Sequence, residues 1–166
     1  MIILGIDPGI AKLGYGVLKK PKTKSGKLKA LDYGCIITAP KLSPGERLKK
    51  INNELNKLIR EYKPDVLAVE NVYFFKNLKT AMPVSQAKGV ILLTAAKKKI
   101  PVYEFSPLQI KMTLVGYGRA NKKQIQKMVK YLLNLKKTLK SDDEADALGI
   151  AICGALKIEN KSAGLT

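Results

Sequence analysis

At 166 residues, 46% of them apolar, the chain is long enough for one domain with a sizeable core and too apolar for a disordered polymer. No apolar run reaches the ~18–20 residues of a membrane span, and no signal-peptide pattern precedes the first strand-like segment, so a cytoplasmic protein is expected. The 31 Lys and Arg against 13 Asp and Glu leave a net charge of +18, which favours a polyanionic partner, nucleic acid, over a merely solubilising lysine surface.

The first third reads as β. Ile2-Ile3-Leu4-Gly5-Ile6 is almost continuously apolar, as a strand buried on both faces is, and it ends at Asp7. Gly14 to Leu18 reads as a second strand, residues 21–27 as a basic turn, and Leu28 to Thr38 as a third strand, together an antiparallel meander. Ser43-Pro44-Gly45-Glu46 opens a helix with Ser as N-cap, Pro at the first position and Glu closing a capping box. Leu48, Ile51, Leu55, Leu58 and Ile59 carry it to about Tyr62, and Pro64 stops it. Residues 66–70 form a short central strand ending in Glu70.

A helix over roughly 81–98 follows, with Pro83 expected in its first turn. Its stripe of mostly small residues, Ala87, Val90, Ile91, Thr94 and Ala95, suits close packing on its own sheet or on another helix. Val102 to Phe105 is a strand, and Ser106-Pro107-Leu108-Gln109 repeats the capping-box pattern. The loop Gly116-Tyr117-Gly118-Arg119-Ala120 leads to a helix from Asn121 to about Leu135. A last helix spans about 142–157, with 158–166 as a flexible tail. The order βββ-α-β-α-β-α-α-α gives a single α/β domain over 1–157 with a mixed sheet. Cys35 and Cys153 lie in apolar surroundings without CxxC spacing, and are expected as buried thiols of a reducing compartment.

The chemistry-bearing residues are acids in costly places. Asp7 and Glu70 close apolar runs, and Asp143 and Asp146 open the stretch Ala147 to Cys153. Each has an ordinary reading as well. Asp7-Pro8-Gly9 is a common turn, Glu70 suits a cap or an ion pair, and Asp142 and Asp143 suit a helix N-terminus. Jointly they say more, because four of the 13 acids fall within 142–146 and Asp143 and Asp146 share a helix face. With no His in the chain, the usual general base and nucleophile systems are absent. Two strand-end carboxylates and a helical pair can hold two Mg²⁺ or Mn²⁺ ions for phosphodiester hydrolysis. Lys111, Arg119, Lys122 and Lys123 lie in or near the Gly116–Gly118 loop, where backbone can approach phosphate, and are candidate DNA contacts.

Gly5-Ile6-Asp7-Pro8-Gly9, Gly14-Tyr15-Gly16, Glu70-Asn71-Val72, Gln86-Ala87-Lys88-Gly89-Val90, Val115-Gly116-Tyr117-Gly118 and Asp143-Glu144-Ala145-Asp146-Ala147-Leu148 resemble, in order and spacing, the RuvC family of bacterial Holliday junction resolvases. The resemblance covers almost the whole chain. It implies an RNase H-like fold with a five-stranded mixed sheet flanked by helices, a homodimer, for which the stripe from Ala87 to Ala95 is the candidate interface element unless it packs on its own sheet, and paired symmetric nicking of four-way DNA junctions in recombination and repair. By it Asp7, Glu70, Asp143 and Asp146 match the family's metal-binding acids. Lys111 and Lys122 match basic positions that serve DNA binding or catalysis, and the branch-migration complex RuvA–RuvB is an expected partner. Tyr73 matches an aromatic position implicated in opening the crossover. Tyr73, Phe74 and Phe75 cannot all face the core, so Tyr73 and Phe74 are read as DNA-contacting. The competing readings are an RNase H-like nuclease for RNA or other branched DNA, an actin-like ATPase or sugar kinase, and an architectural DNA-binding protein.

Overall fold

Side chains alternate between the two faces of a strand, and this parity sorts the chain's apolar residues into two layers. The computed structural model describes residues 1–21, 26–71, 78–136, 139 and 141–162, with only the backbone for 78–80 and 159–162. Its five strands are β1 (Ile2–Asp7), β2 (Lys12–Lys19), β3 (Lys29–Ile37), β4 (Val66–Glu70) and β5 (Val102–Phe105). The helices are α1 (Pro44–Tyr62), α2 (Leu78–Lys97), α3 (Pro107–Val115), α4 (Lys122–Leu132) and α5 (Asp142–Ser162). One sheet of order β3-β2-β1-β4-β5 joins the strands, antiparallel between β1, β2 and β3 and parallel between β1, β4 and β5. The expected element order and mixed sheet are therefore those observed.

On one face, Leu4, Ile6, Leu13, Val17, Leu67 and Val69 pack with Ile51, Leu55, Ala87 and Ile91 of α1 and α2. On the other, Ile3, Leu18, Val66, Ala68 and Phe105 pack with α3, α4 and the middle of α5. Both capping boxes are present: Ser43 and Glu46 cap α1, and Ser106 and Gln109 cap α3. A third, Asn121 with Gln124, caps α4.

Four details differ from expectation. The helix α2 starts at Leu78, so Pro83 stands inside it rather than in its first turn. The five residues before the proline contain no helix breaker, and the missing N–H removes just one backbone bond. The stripe Ala87, Ile91, Thr94 and Ala95 is buried within this chain, where Asn52 Nδ2 of α1 donates to Thr94 Oγ1 at 2.7 Å. It packs within its own chain, with Val90 half-buried beside it, so these four residues are not the interface with a second copy. Helix α4 stops at Leu132, short of Leu135, because Asn134 takes a left-handed conformation (φ 49°). Helix α5 runs on to Ser162, past 157, since no Gly or Pro interrupts 155–162. Residues 22–25 of the basic turn and 163–166 of the tail lie outside the described residues. Both cysteines are free, Cys153 buried and Cys35 half-buried.

Candidate active site

In the parallel pair β1–β4, Ile6 stands opposite Val69, so the next residues, Asp7 and Glu70, leave the sheet side by side. Asp7 shares the parity of Ile3 and Gly5, and Glu70 that of Val66 and Ala68, which turns both toward α5. Helix α5 lies unusually close to the strands. A Cβ on Gly5 would come within 2.3 Å of the Ala147 carbonyl oxygen, and one on Gly14 within 2.3 Å of that of Asp143. Only glycine tolerates such an approach of backbone to backbone. The glycines thus let the first turns of α5 carry Asp143 and Asp146 to the strand-end acids. The chain just past Asp7 is tight as well: a Cβ on Gly9 would meet the Lys12 carbonyl oxygen at 2.1 Å.

Crowding makes these acids reluctant anions. Burial, then repulsion from Glu70, Asp146 and Asp143, pushes Asp7 up to about 8. Burial and Asp146 push Glu70 up to about 7, against the pull of Lys122 and Lys111. Asp146 is raised as well, chiefly by burial, with Lys122 opposing. Lys122 is partly desolvated, which disfavours its charge, yet Asp146 and Asp142 outweigh that and strengthen its hold on its proton. A cavity of about 330 Å³ opens beside the acids, lined by Glu70, Asp146, Lys111 and Lys122 over an apolar floor that includes Ile110, Ile125 and Ile150.

Of the sequence candidates, the structure brings together Asp7, Glu70, Asp143 and Asp146, with Lys111 and Lys122 facing them. Arg119 and Lys123 are exposed nearby and do not line the cavity. Tyr73 and Phe74 lie outside the described residues. Asp142 turns to α4, where it accepts hydrogen bonds from Gln126 Nε2 at 2.6 Å and Lys122 Nζ at 3.4 Å. Two features escape sequence reasoning. Lys12 pairs with Asp143, and Lys88, on α2, donates to both Asn71, the residue after Glu70, and Glu104 on β5. Lys88 stands in the motif Gln86-Ala87-Lys88-Gly89-Val90, which marks the position but not its partners, and among 31 basic residues Lys12 carries no distinguishing signal.

Among the described residues no group of three acidic side chains is gathered closely enough to enclose one metal ion, and Asp143 is engaged by Lys12. The donor chemistry nonetheless fits a hard divalent cation. All four donors are carboxylates, and a cation among them relieves the repulsion that raises Asp7 and Glu70.

A mixed sheet of this order, with acids at the ends of two parallel strands and a helix carrying more acids across them, defines a metal-dependent nuclease of RNase H-like fold. The chain belongs to the RuvC family: the family model described as crossover junction endodeoxyribonuclease RuvC matches residues 3–154. The crossover junction endodeoxyribonuclease RuvC of Alkaliphilus metalliredigens is 53% identical over 93% of both chains. That of Petrotoga mobilis is 50% identical over 99% of both. The structure of Thermus thermophilus RuvC in complex with Holliday junction substrate superimposes with a TM-score of 0.90 at 32% identity, covering 99% of this chain and 97% of the other.

Proposed function

We propose that the protein resolves four-way DNA junctions by symmetric paired nicks, as a structure-selective endonuclease of recombination and repair in the cytoplasm. The observation that carries this reading is the side-by-side exit of Asp7 and Glu70 onto the acids of α5, with Lys111 and Lys122 facing them. Family membership and the junction-bound Thermus thermophilus relative supply the substrate. Asp7, Glu70, Asp143 and Asp146 would hold two Mg²⁺ ions, or Mn²⁺ in their place. Such a pair, when bound, clamps the attacking water and the leaving oxygen of an in-line displacement. Lys111 and Lys122 hold the target phosphate against the acids, and Arg119 and Lys123 hold the flanking backbone. Tyr73, with Phe74 beside it, stacks on bases at the opened crossover.

A two-fold junction presents equivalent phosphates, which a homodimer matches with two identical sites. The exposed face of α2 supports this assembly: Met82 is 68% and Leu93 54% exposed, in line with exposed Gln86 and Gly89 at helical spacing. The RuvA–RuvB branch-migration complex is its proposed partner, by family membership.

The decisive experiment is cleavage of a synthetic four-way junction, with an RNA–DNA hybrid as control and with Mg²⁺ present or chelated. Paired nicks on the junction alone, lost on chelation, are expected; cleavage of the hybrid instead would reassign the substrate. Sedimentation tests the dimer: the wild type should run as a dimer and Leu93→Lys as a monomer. Tyr73→Ala should slow cleavage of intact junctions more than of junctions with a mismatched, pre-opened centre, and equal losses would deny it the stacking role. Lys122→Ala should weaken binding and flatten its salt dependence, and an unchanged salt slope would take it out of the interface.

A further inference from the structure

Lys12 opens β2 at the same parity as Gly14 and Gly16, the face on which α5 rests. From there its ammonium reaches the carboxylate of Asp143, with the two side chains 36% and 32% exposed. Among the described ion pairs, Asp143 is the one member of the acid quartet that takes part. Fold stability does not require this contact, because half-exposed ion pairs contribute little. Nor does Lys12 line the cavity beside the acids, as Lys111 and Lys122 do.

We propose that Lys12 is a positioning residue, an internal counter-ion that holds Asp143 at the rim of the site and that a divalent cation must displace before Asp143 can ligate it. The inference rests on the metal reading of the four acids given above. Two cationic groups compete here for one carboxylate. The lysine therefore sets how much free metal the site needs, while keeping Asp143 close enough to join once the ammonium leaves. The tether is short: Gly14, two residues after Lys12, lies directly against the Asp143 backbone, so neither partner can drift far when they part.

Binding of Mn²⁺ to DNA-free protein, read from the electron paramagnetic resonance signal of the free ion, tests this without recourse to cleavage. Lys12→Met should bind Mn²⁺ about two- to fivefold more tightly than wild type, the range expected for losing a partly exposed ion pair. Lys12→Arg should behave as wild type. In an Asp143→Asn background, adding Lys12→Met should change nothing, closing a double-mutant cycle on this pair. Equal or weaker affinity in Lys12→Met overturns the proposal. So does an equal gain with and without Asp143, which would mean a general field effect of one lysine. If wild-type Mn²⁺ binding is indifferent to Asp7→Asn, the metal reading itself falls, and this inference with it.

Discussion

Helices α1 and α5 both begin behind a serine with acids in the first turn, and they use those acids in opposite ways. At α1, Ser43 and Glu46 satisfy each other: Ser43 Oγ accepts from the Glu46 amide at 3.4 Å, and Glu46 Oε2 accepts from the Ser43 amide at 2.8 Å. At α5, Ser141 Oγ accepts from the Glu144 amide at 3.4 Å, but the neighbouring acids go elsewhere. Asp142 reaches Lys122 and Gln126, Asp143 reaches Lys12, and Asp146 faces Asp7 and Glu70. The helix dipole favours acids at both starts. At α1 that local chemistry closes on itself. At α5 the acids are carried across to other elements and crowded against their own kind, which is where chemistry on a substrate becomes possible.

The sharpest way to break this contrast is to neutralise one acid of the crowded cluster that α5 completes and one at α1. Asp7→Asn should cut junction cleavage by roughly a thousandfold or more while leaving junction binding intact, because a ligand is lost and no contact to DNA is. Loss of binding in parallel would make Asp7 structural. Glu46→Gln at α1 should leave cleavage unchanged.

A smaller effect is expected from filling the gap that lets α5 approach. Gly14→Ala should destabilise by about 1–3 kcal/mol, because its Cβ meets backbone that cannot swing aside, and should slow cleavage as Asp143 moves. Thermal melts and cleavage rates would show both losses together.

The acids that α5 meets should also leave a pH signature that α1 reverses. Asp7 titrates when folded near 8, above its ordinary 3.8, so its folded-state penalty is absent below about pH 4 and complete above about pH 8. In chelator, Asp7→Asn should therefore melt several degrees above wild type at pH 8 and at the same temperature at pH 4. Glu46 is held below its ordinary value by Ser43. Its contribution is present above the ordinary value and disappears as pH falls through the folded one, the reverse order. A melting difference for Asp7→Asn that is flat with pH would refute the crowding.

The smallest effects belong to α1. Ser43→Ala should cost about 1 kcal/mol through the lost cap and leave cleavage alone. Gly45→Ala, where a Cβ would meet nothing within 4 Å, should stabilise by about 0.5–1 kcal/mol. Altered cleavage in either would show that α1 communicates with the site.

The same contrast explains what could be read from the chain. Caps and periodic stripes are local, so α1, α3 and the order of elements were legible, as were acids ending apolar strands. Partners across the fold were not. That Lys12 meets Asp143 depends on where β2 starts and on how near α5 lies, and a chain with lysine throughout offers no contrast to mark it. The stripe on α2 shows the limit of periodicity: Ala87, Ile91 and Ala95 announce an apolar face, but not which neighbour covers it. Pro83 misled similarly, because a proline one turn into a helix looks like the start of one.

The acids of this site come from β1 and β4 on one hand and on the other from α5, the last element of the described chain. During synthesis β1 to β5 emerge well before α5, so a growing chain holds Asp7 and Glu70 without Asp143 or Asp146. On the proposed metal reading of these acids, cutting is withheld until α5 settles against Gly5 and Gly14 of the sheet. On the same reading, a product that stops before α5 lacks half of the acids with which it would nick DNA.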